Sequence, residues 1–120
     1  MNTILIIDDE INLRETLNEL LTYAGHKVYE SENGKLGIQK VEEKQPDLII
    51  CDIMMPILDG YGFLEQHMKS KYSQIPVLII SAKAEQIDKD KALYLGAKGY
   101  IKKPFKFNEI IEEINHYLIK

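Results

Sequence analysis

Leu48-Ile49-Ile50-Cys51 is an unbroken apolar run that ends in an acid, Asp52, with Pro46 before it and the turn residues Met55-Pro56 and Asp59-Gly60 after it. Apolar residues at every position, not at every second one, suit a strand covered on both faces, as in a parallel sheet between two helical layers. Asp52 therefore stands at the carboxyl end of a buried strand. An unpartnered carboxylate there costs several kcal/mol or stays protonated. Taken by itself, Asp52 reads equally well as the cap of the turn that follows, and the rest of the chain has to decide.

The same arrangement recurs along the sequence. Ile4-Leu5-Ile6-Ile7 ends in Asp8-Asp9-Glu10, Val77-Leu78-Ile79-Ile80 delivers Ser81, and the shorter Gly99-Tyr100-Ile101-Lys102 delivers Lys103-Pro104. Lys27 to Glu30 reads as one more short strand. Helical stretches alternate with these strands. The first carries Leu13, Leu17, Leu20, Leu21 and Ala24 and ends at Gly25; the second opens at Asn33-Gly34, carries Ile38 and Val41, and stops before Pro46. Asp59 caps a third through Leu64 and Met68, a fourth runs from about Ala84 to Tyr94 and ends at Gly96, and the last bears the stripe Phe107, Ile110, Ile111, Ile114, Tyr117 and Leu118. Five strands alternating with five helices predict an α/β fold: a doubly wound (βα)5 domain with a parallel five-stranded sheet in the flavodoxin-like order 2-1-3-4-5. The 120 residues accommodate this as one domain, 1–120.

In such a sheet ligands bind outside the carboxyl ends of the strands, next to the point where the strand order reverses. Asp8, Asp9, Asp52, Ser81 and Lys103 all fall there. Two unit charges ~4 Å apart repel by about 4 kcal/mol at an effective dielectric of ~20, so three clustered carboxylates call for a cation. All-oxygen donors favour Mg²⁺, with Mn²⁺ as the alternative, over zinc. Lys103 and Ser81 across the crevice suit the equatorial oxygens of a phosphoryl group on Asp52.

Composition narrows the setting. The formal charge of −4 argues against a nucleic-acid binder, although residues 1–80 carry 7 basic and 13 acidic side chains and residues 81–120 carry 8 and 6. The acidic part holds the candidate site; the basic part is free to face something else. Cys51 is the lone cysteine and reads as a buried structural thiol without a disulfide. No charged-then-apolar leader opens the chain and no apolar run approaches ~18 residues, so membrane insertion is not expected and a cytoplasmic location is. His26, His67 and His116 share no ligand spacing and read as surface residues, and Met54 and Met55 as turn and packing residues.

Four motifs in the right order carry a resemblance. Asp8-Asp9 after strand one, Asp52 within apolar-Asp-x-x-Met-Pro-x-x-Asp-Gly, Ser81-Ala82 after strand four and Lys103-Pro104-Phe105 after strand five make the chain similar, over essentially its full length, to the receiver domain of two-component response regulators, the CheY-like superfamily. The resemblance implies that Asp52 accepts a phosphoryl group from a phosphohistidine of a sensor histidine kinase or histidine phosphotransfer protein, in a Mg²⁺-dependent reaction. It implies metal binding by Asp9, Asp52 and the main-chain carbonyl of Met54, with Asp8 acting mainly through water, and a cis peptide at Lys103-Pro104. It also implies a switch in which Ser81 and Tyr100 change the face formed by helix four, strand five and helix five. That face, with Lys91, Tyr94, Lys98, Lys102 and Lys106, is the expected output surface for an unidentified partner protein or domain.

Such a domain is a phosphoacceptor that assists its own phosphorylation and slow dephosphorylation, not a conventional turnover enzyme. It is expected as a monomer, with a phosphorylation-dependent dimer as the alternative. Both a stand-alone shuttle and the receiver half of a longer regulator fit the sequence. Met54 and Lys83 occupy positions that tune phosphoryl lifetime in the family, and an apolar Met54 implies slow self-dephosphorylation. Rival readings fit less well. An aspartyl-nucleophile phosphatase of the haloacid-dehalogenase type needs two acids spaced by two after strand one, which Asp8-Asp9-Glu10-Ile11 does not match. A flavin module needs a phosphate loop there, and Asp-Asp-Glu would repel a phosphate.

Overall fold

A computed structural model describes residues 2–83 and 85–118. Ten elements alternate along the chain: β1 (Thr3–Ile7), α1 (Ile11–Tyr23), β2 (Lys27–Ser31), α2 (Gly34–Lys44), β3 (Leu48–Asp52), α3 (Gly60–Met68), β4 (Val77–Ser81), α4 (Gln86–Tyr94), β5 (Gly99–Lys102) and α5 (Phe107–Leu118). The strands form one parallel sheet in the order β2-β1-β3-β4-β5, as expected. The expected start of the fourth helix at Ala84 lies outside the described residues.

Alternation within each apolar strand distributes its side chains to two cores. Ile4, Ile6, Leu48, Ile50, Leu78 and Ile80 face Leu17 and Leu21 of α1 and Ile110, Ile114 and Leu118 of α5. Leu5, Ile7, Ile49, Cys51, Val77 and Ile79 face Val41 of α2, Phe63 and Leu64 of α3 and Ala92 of α4. Both faces of β1, β3 and β4 are covered, which is why the runs 4–7, 48–51 and 77–80 contain no polar residue. Each fully buried Leu or Ile contributes about 1.5–3 kcal/mol relative to exposure. The edge strand β2 is different: Lys27 and Glu30 interrupt its apolar residues, as suits a strand with one open side.

Helix ends follow local chemistry. Asn33 accepts from the Leu36 amide and Asp59 from the Gly62 amide, each filling one orphan donor of the helix it opens. Gly25, at φ +101°, turns the chain out of α1.

Candidate functional site

Sheet register brings the polar residues together. Ile7 pairs with Cys51, so one step further Asp8 lies beside Asp52. Asp52 pairs with Ile80, which puts Ser81 one residue beyond it on the neighbouring strand. Ser81 pairs with Lys102, and the Lys103 amide donates to the Ser81 carbonyl at 2.7 Å. Apolar strands thus hand over to polar residues at one level of the sheet. The packing of α3 fixes the far wall: the Gly60 amide donates to the Ile53 carbonyl at 2.8 Å, and a Cβ at Gly60 would stand 2.4 Å from the carbonyl oxygen of Asp52. Only glycine lets the helix start this close to the acid.

The acids form a compact group. Asp8, Asp9 and Asp52 each offer a carboxylate oxygen within 4.8 Å of the others. Asp8 and Asp52 are buried, while Asp9 is exposed at the mouth. Lys103 Nζ donates to Asp8 Oδ2 at 3.3 Å and to Asp52 Oδ2 at 3.2 Å. The remaining oxygens take main-chain donors: the Glu10 amide reaches Asp8 Oδ1 at 2.9 Å and the Ile53 amide reaches Asp52 Oδ1 at 2.7 Å. Burial pushes the Asp8 carboxyl above its ordinary value; the Glu10 amide opposes this, Asp52 adds to it and Lys103 offsets it. Burial also works to lower Lys103, but Asp8 and Asp52 outweigh it and hold the ammonium above its usual range. Three carboxylates face one lysine at the centre of the crevice. The Cys51 thiol beneath is pushed up by burial, then by Asp52, and stays an inert packing group.

The other expected residues lie around this centre. Ser81 is fully buried at the end of β4, and its Oγ accepts from the Lys83 amide at 3.1 Å. Tyr100 is half-buried, with its hydroxyl donating to the Lys83 carbonyl at 2.8 Å. The Lys103-Pro104 peptide is cis. Met54 stands in the β3–α3 loop with 60% of its surface exposed, and together with Asp9 it lines an open cavity.

Sequence reasoning passed over a supporting residue and misplaced another. Arg14 on α1 donates from Nη1 to the Asp8 carbonyl at 2.6 Å and from Nε to Glu30 of β2 at 2.7 Å, anchoring the loop that carries Asp8 and Asp9. Its only sequence signal is a position on the first turn of α1, four residues after Glu10. His67, expected at the surface, is buried: its ring stacks on Phe63 with centroids 5.5 Å apart, and Nε2 meets the Ile75 carbonyl at 2.9 Å. The correction has a simple cause. His67 lies four residues after Phe63, on the same inward face of α3.

Comparison with known proteins agrees with this geometry. The response regulator receiver domain profile matches residues 4–115. The probable transcriptional regulator ycf27 of Pyropia yezoensis is 35% identical over 115 residues, which cover 96% of this chain and 46% of that protein. The chain spans about half the length of the curated relatives it matches. Among solved structures, a putative response regulator from Chloroflexus aurantiacus superposes with a TM-score of 0.93 at 28% identity, covering 99% of this chain and 98% of that one. The response regulator TrrA of Thermotoga maritima, in complex with Mg²⁺-BeF, gives a TM-score of 0.88 at 30% identity, covering 98% and 100%. The acid cluster at the carboxyl ends of the strands and a profile match over nearly the whole chain lead to one assignment: the chain belongs to the response regulator receiver domain family of two-component systems.

Proposed function

We propose that Asp52 is the phosphoacceptor and that it takes its phosphoryl group from a phosphohistidine of a sensor kinase or phosphotransfer protein. The observation that carries this reading is the contact of Lys103 Nζ with both Asp8 and Asp52, at the centre of a three-carboxylate cluster. An oxygen of Asp52 attacks phosphorus, the P–N bond breaks with its electron pair returning to the imidazole, and an acyl phosphate forms. On this reading Lys103 neutralises the developing charge on an equatorial oxygen and Ser81 donates its hydroxyl to another, which the contact of Lys103 with Asp52 and the position of Ser81 beside it support. Pre-set donors of this kind act where charge develops.

The donor set fits Mg²⁺: all ligand atoms are oxygens, and one lysine leaves the cluster of Asp8, Asp9 and Asp52 short of positive charge. Asp9, Asp52 and the Met54 carbonyl would hold the ion, with Asp8 acting through water. When bound, Mg²⁺ supplies charge neutralisation that lets Asp52 and the incoming phosphoryl oxygens approach. Mn²⁺ suits the same donors. The exposed, apolar Met54 side chain beside the cluster supports slow hydrolysis of the acyl phosphate, because it offers no hydrogen bond to an attacking water.

The switch and its output follow on this reading. Ser81 moves toward the new phosphoryl oxygens, Tyr100 leaves the Lys83 carbonyl and rotates inward, and the face of α4, β5 and α5 changes for a partner protein or domain. No helix of the described residues is long and apolar enough to cross a membrane, and a cytoplasmic monomer, or a dimer on phosphorylation, is the form proposed. The test is intact mass after incubation with Mg²⁺ and acetyl phosphate, beside Asp52→Ala. A phosphoryl adduct that needs both Mg²⁺ and Asp52 is expected. No adduct from folded protein that binds Mg²⁺, with a phosphohistidine donor also tried, would leave a binding module that works without phosphorylation.

A further inference from the structure

Beside the acid cluster lies an open cavity of about 700 Å³ whose lining includes Asp9, Met54, Asp59, Tyr61, Lys83 and Lys91. Tyr61, in the first turn of α3, bridges it to α4 by two contacts. Its hydroxyl meets Asp88 Oδ1 at 3.4 Å, and Lys91 Nζ sits 4.2 Å from the centre of its ring. Asp88 in turn lies 3.8 Å from Lys83 Nζ on the β4–α4 loop. The main chain of Lys83 seats both residues of the proposed switch: its amide donates to Ser81 Oγ and its carbonyl accepts from the Tyr100 hydroxyl.

The two ends of this chain of contacts differ in firmness. Tyr61 follows Gly60, whose amide is bonded to the Ile53 carbonyl and where an added Cβ would stand 2.4 Å from the Asp52 carbonyl oxygen. Its backbone is therefore fixed to the acceptor strand. By contrast, α4 buries only Ala92. A helix held by so little apolar area takes its position from whatever polar contacts reach it.

We infer that Tyr61 is a positioning residue. It clamps α4 to the start of α3 and, through Asp88, holds the Lys83 loop in the conformation in which Ser81 and Tyr100 are both engaged by it. The inference rests on the reading of Asp52 as phosphoacceptor, because the switch it restrains is the one that reading requires. Release of the clamp frees α4 and the loop together, without touching the acid cluster. Tyr61 thus opposes the switched state and acts on the phosphoryl site only through its neighbours.

The test compares the parent protein with Tyr61→Phe, Tyr61→Ala, Asp88→Asn and the pair Tyr61→Phe with Asp88→Asn. Amide hydrogen exchange is followed in α4 and the β4–α4 loop, with α1 and α5 as internal references. Tyr61→Ala, which loses both contacts, is expected to speed exchange in α4 by about fivefold or more, and Tyr61→Phe, which keeps the ring, by less. Exchange in α1 and α5 should stay at the parent rate. The pair should exchange no faster than Asp88→Asn alone, since the hydroxyl acts through that carboxylate. The rate of Asp52 phosphorylation by acetyl phosphate with Mg²⁺ should change in the same order across the variants. Unchanged α4 exchange in Tyr61→Ala, or equal acceleration in every helix, overturns the clamp. Failure of the parent protein to take up phosphoryl overturns the acceptor reading instead, and the exchange data then decide the clamp by themselves.

Discussion

The two helices that flank β5 are held in opposite ways. α5 sinks Ile110, Ile114 and Leu118 into the core and adds a hydrogen bond from Tyr117 to the Lys98 carbonyl at 2.6 Å. α4 runs through Asp88, Lys89, Asp90 and Lys91, buries Ala92 alone, and leaves Ile87 72% and Tyr94 90% exposed. Apolar area holds the first helix, and a few contacts at the rim hold the second. Buried area yields only when the fold does, whereas rim contacts are individually small and can be exchanged for others. The difference separates a scaffold from an element free to report on the site, and the residues between them, Ser81, Lys83 and Tyr100, lie where the two regimes meet.

Core truncation breaks the comparison most directly if it is mistaken. Ile114→Ala should lower the free energy of unfolding by about 2–5 kcal/mol, because it removes a fully buried side chain. Ile87→Ala on α4 should change it by less than about 0.5 kcal/mol. Urea titration of both reads the contrast. Equal losses would mean that α4 is as deeply anchored as α5.

Gly60→Ala probes the firm side at the site itself. A methyl group there meets backbone atoms, the Asp52 oxygen at 2.4 Å and Ile53 Cα at 2.7 Å, and neither can rotate away. A loss of about 1–3 kcal/mol is expected, together with slower phosphorylation at Asp52, the proposed acceptor, as α3 is forced off β3. Wild-type stability and rate in this variant would show that the start of α3 is compliant.

Two described non-glycine residues adopt positive φ, Gln45 at the end of α2 and Ile57 in the β3–α3 loop. Ile57 adopts φ +70°, a left-handed conformation that a β-branched residue enters only with strain, and 77% of its surface is exposed. Ile57→Asn should therefore stabilise the fold by about 1 kcal/mol, seen as a higher urea midpoint with an unchanged slope. A lower midpoint would show that the contacts of Ile57 with its surroundings outweigh the strain.

How much of this was legible in the sequence divides along the same line. The strands were plain because four consecutive apolar residues in each of β1, β3 and β4 lead straight to a polar one, Asp8, Asp52 or Ser81, at the level where the sheet stops. Once the order 2-1-3-4-5 is assumed, register alone carries Asp8 to Asp52. α5 was equally plain from its stripe. What the sequence concealed depends on how helices are rotated and which distant segments they meet. Tyr61 and Asp88 are 27 positions apart and Arg14 and Glu30 are 16, with no periodic signal linking either pair. α4 offers little signal, since a helix that buries one alanine has almost no apolar pattern to mark it. His67 was misplaced because the lack of any ligand spacing suggests a surface residue, whereas its stacking on Phe63 turns it inward.

The smallest expected effect concerns that histidine, which ties the end of α3 to the segment before β4. Its Nε2 faces the Ile75 carbonyl at 2.9 Å and so must carry a proton and donate it in the neutral ring. Burial holds the His67 pKa below the ordinary 6.5, with the hydrogen bond to Ile75 opposing the shift in part. The unfolded chain takes up a proton near pH 6.5 and the folded chain only at lower pH, so the unfolded state binds more protons between the two values. Stability from this residue is complete above pH 6.5 and is lost as pH falls from there through the folded value. His26, also lowered chiefly by burial, pulls in the same direction, so the informative quantity is the difference between the parent and His67→Gln. The glutamine amide can donate to the same carbonyl but does not titrate. Unfolding free energy measured between about pH 7 and pH 5 should fall less steeply in the variant. Exchange in α4, which contains no histidine, should show the same pH dependence in both proteins once intrinsic rates are divided out. Equal slopes would remove His67 from the acid sensitivity of the fold, and a variant that altered α4 as well would show that the scaffold and α4 are coupled through α3 more tightly than their packing implies.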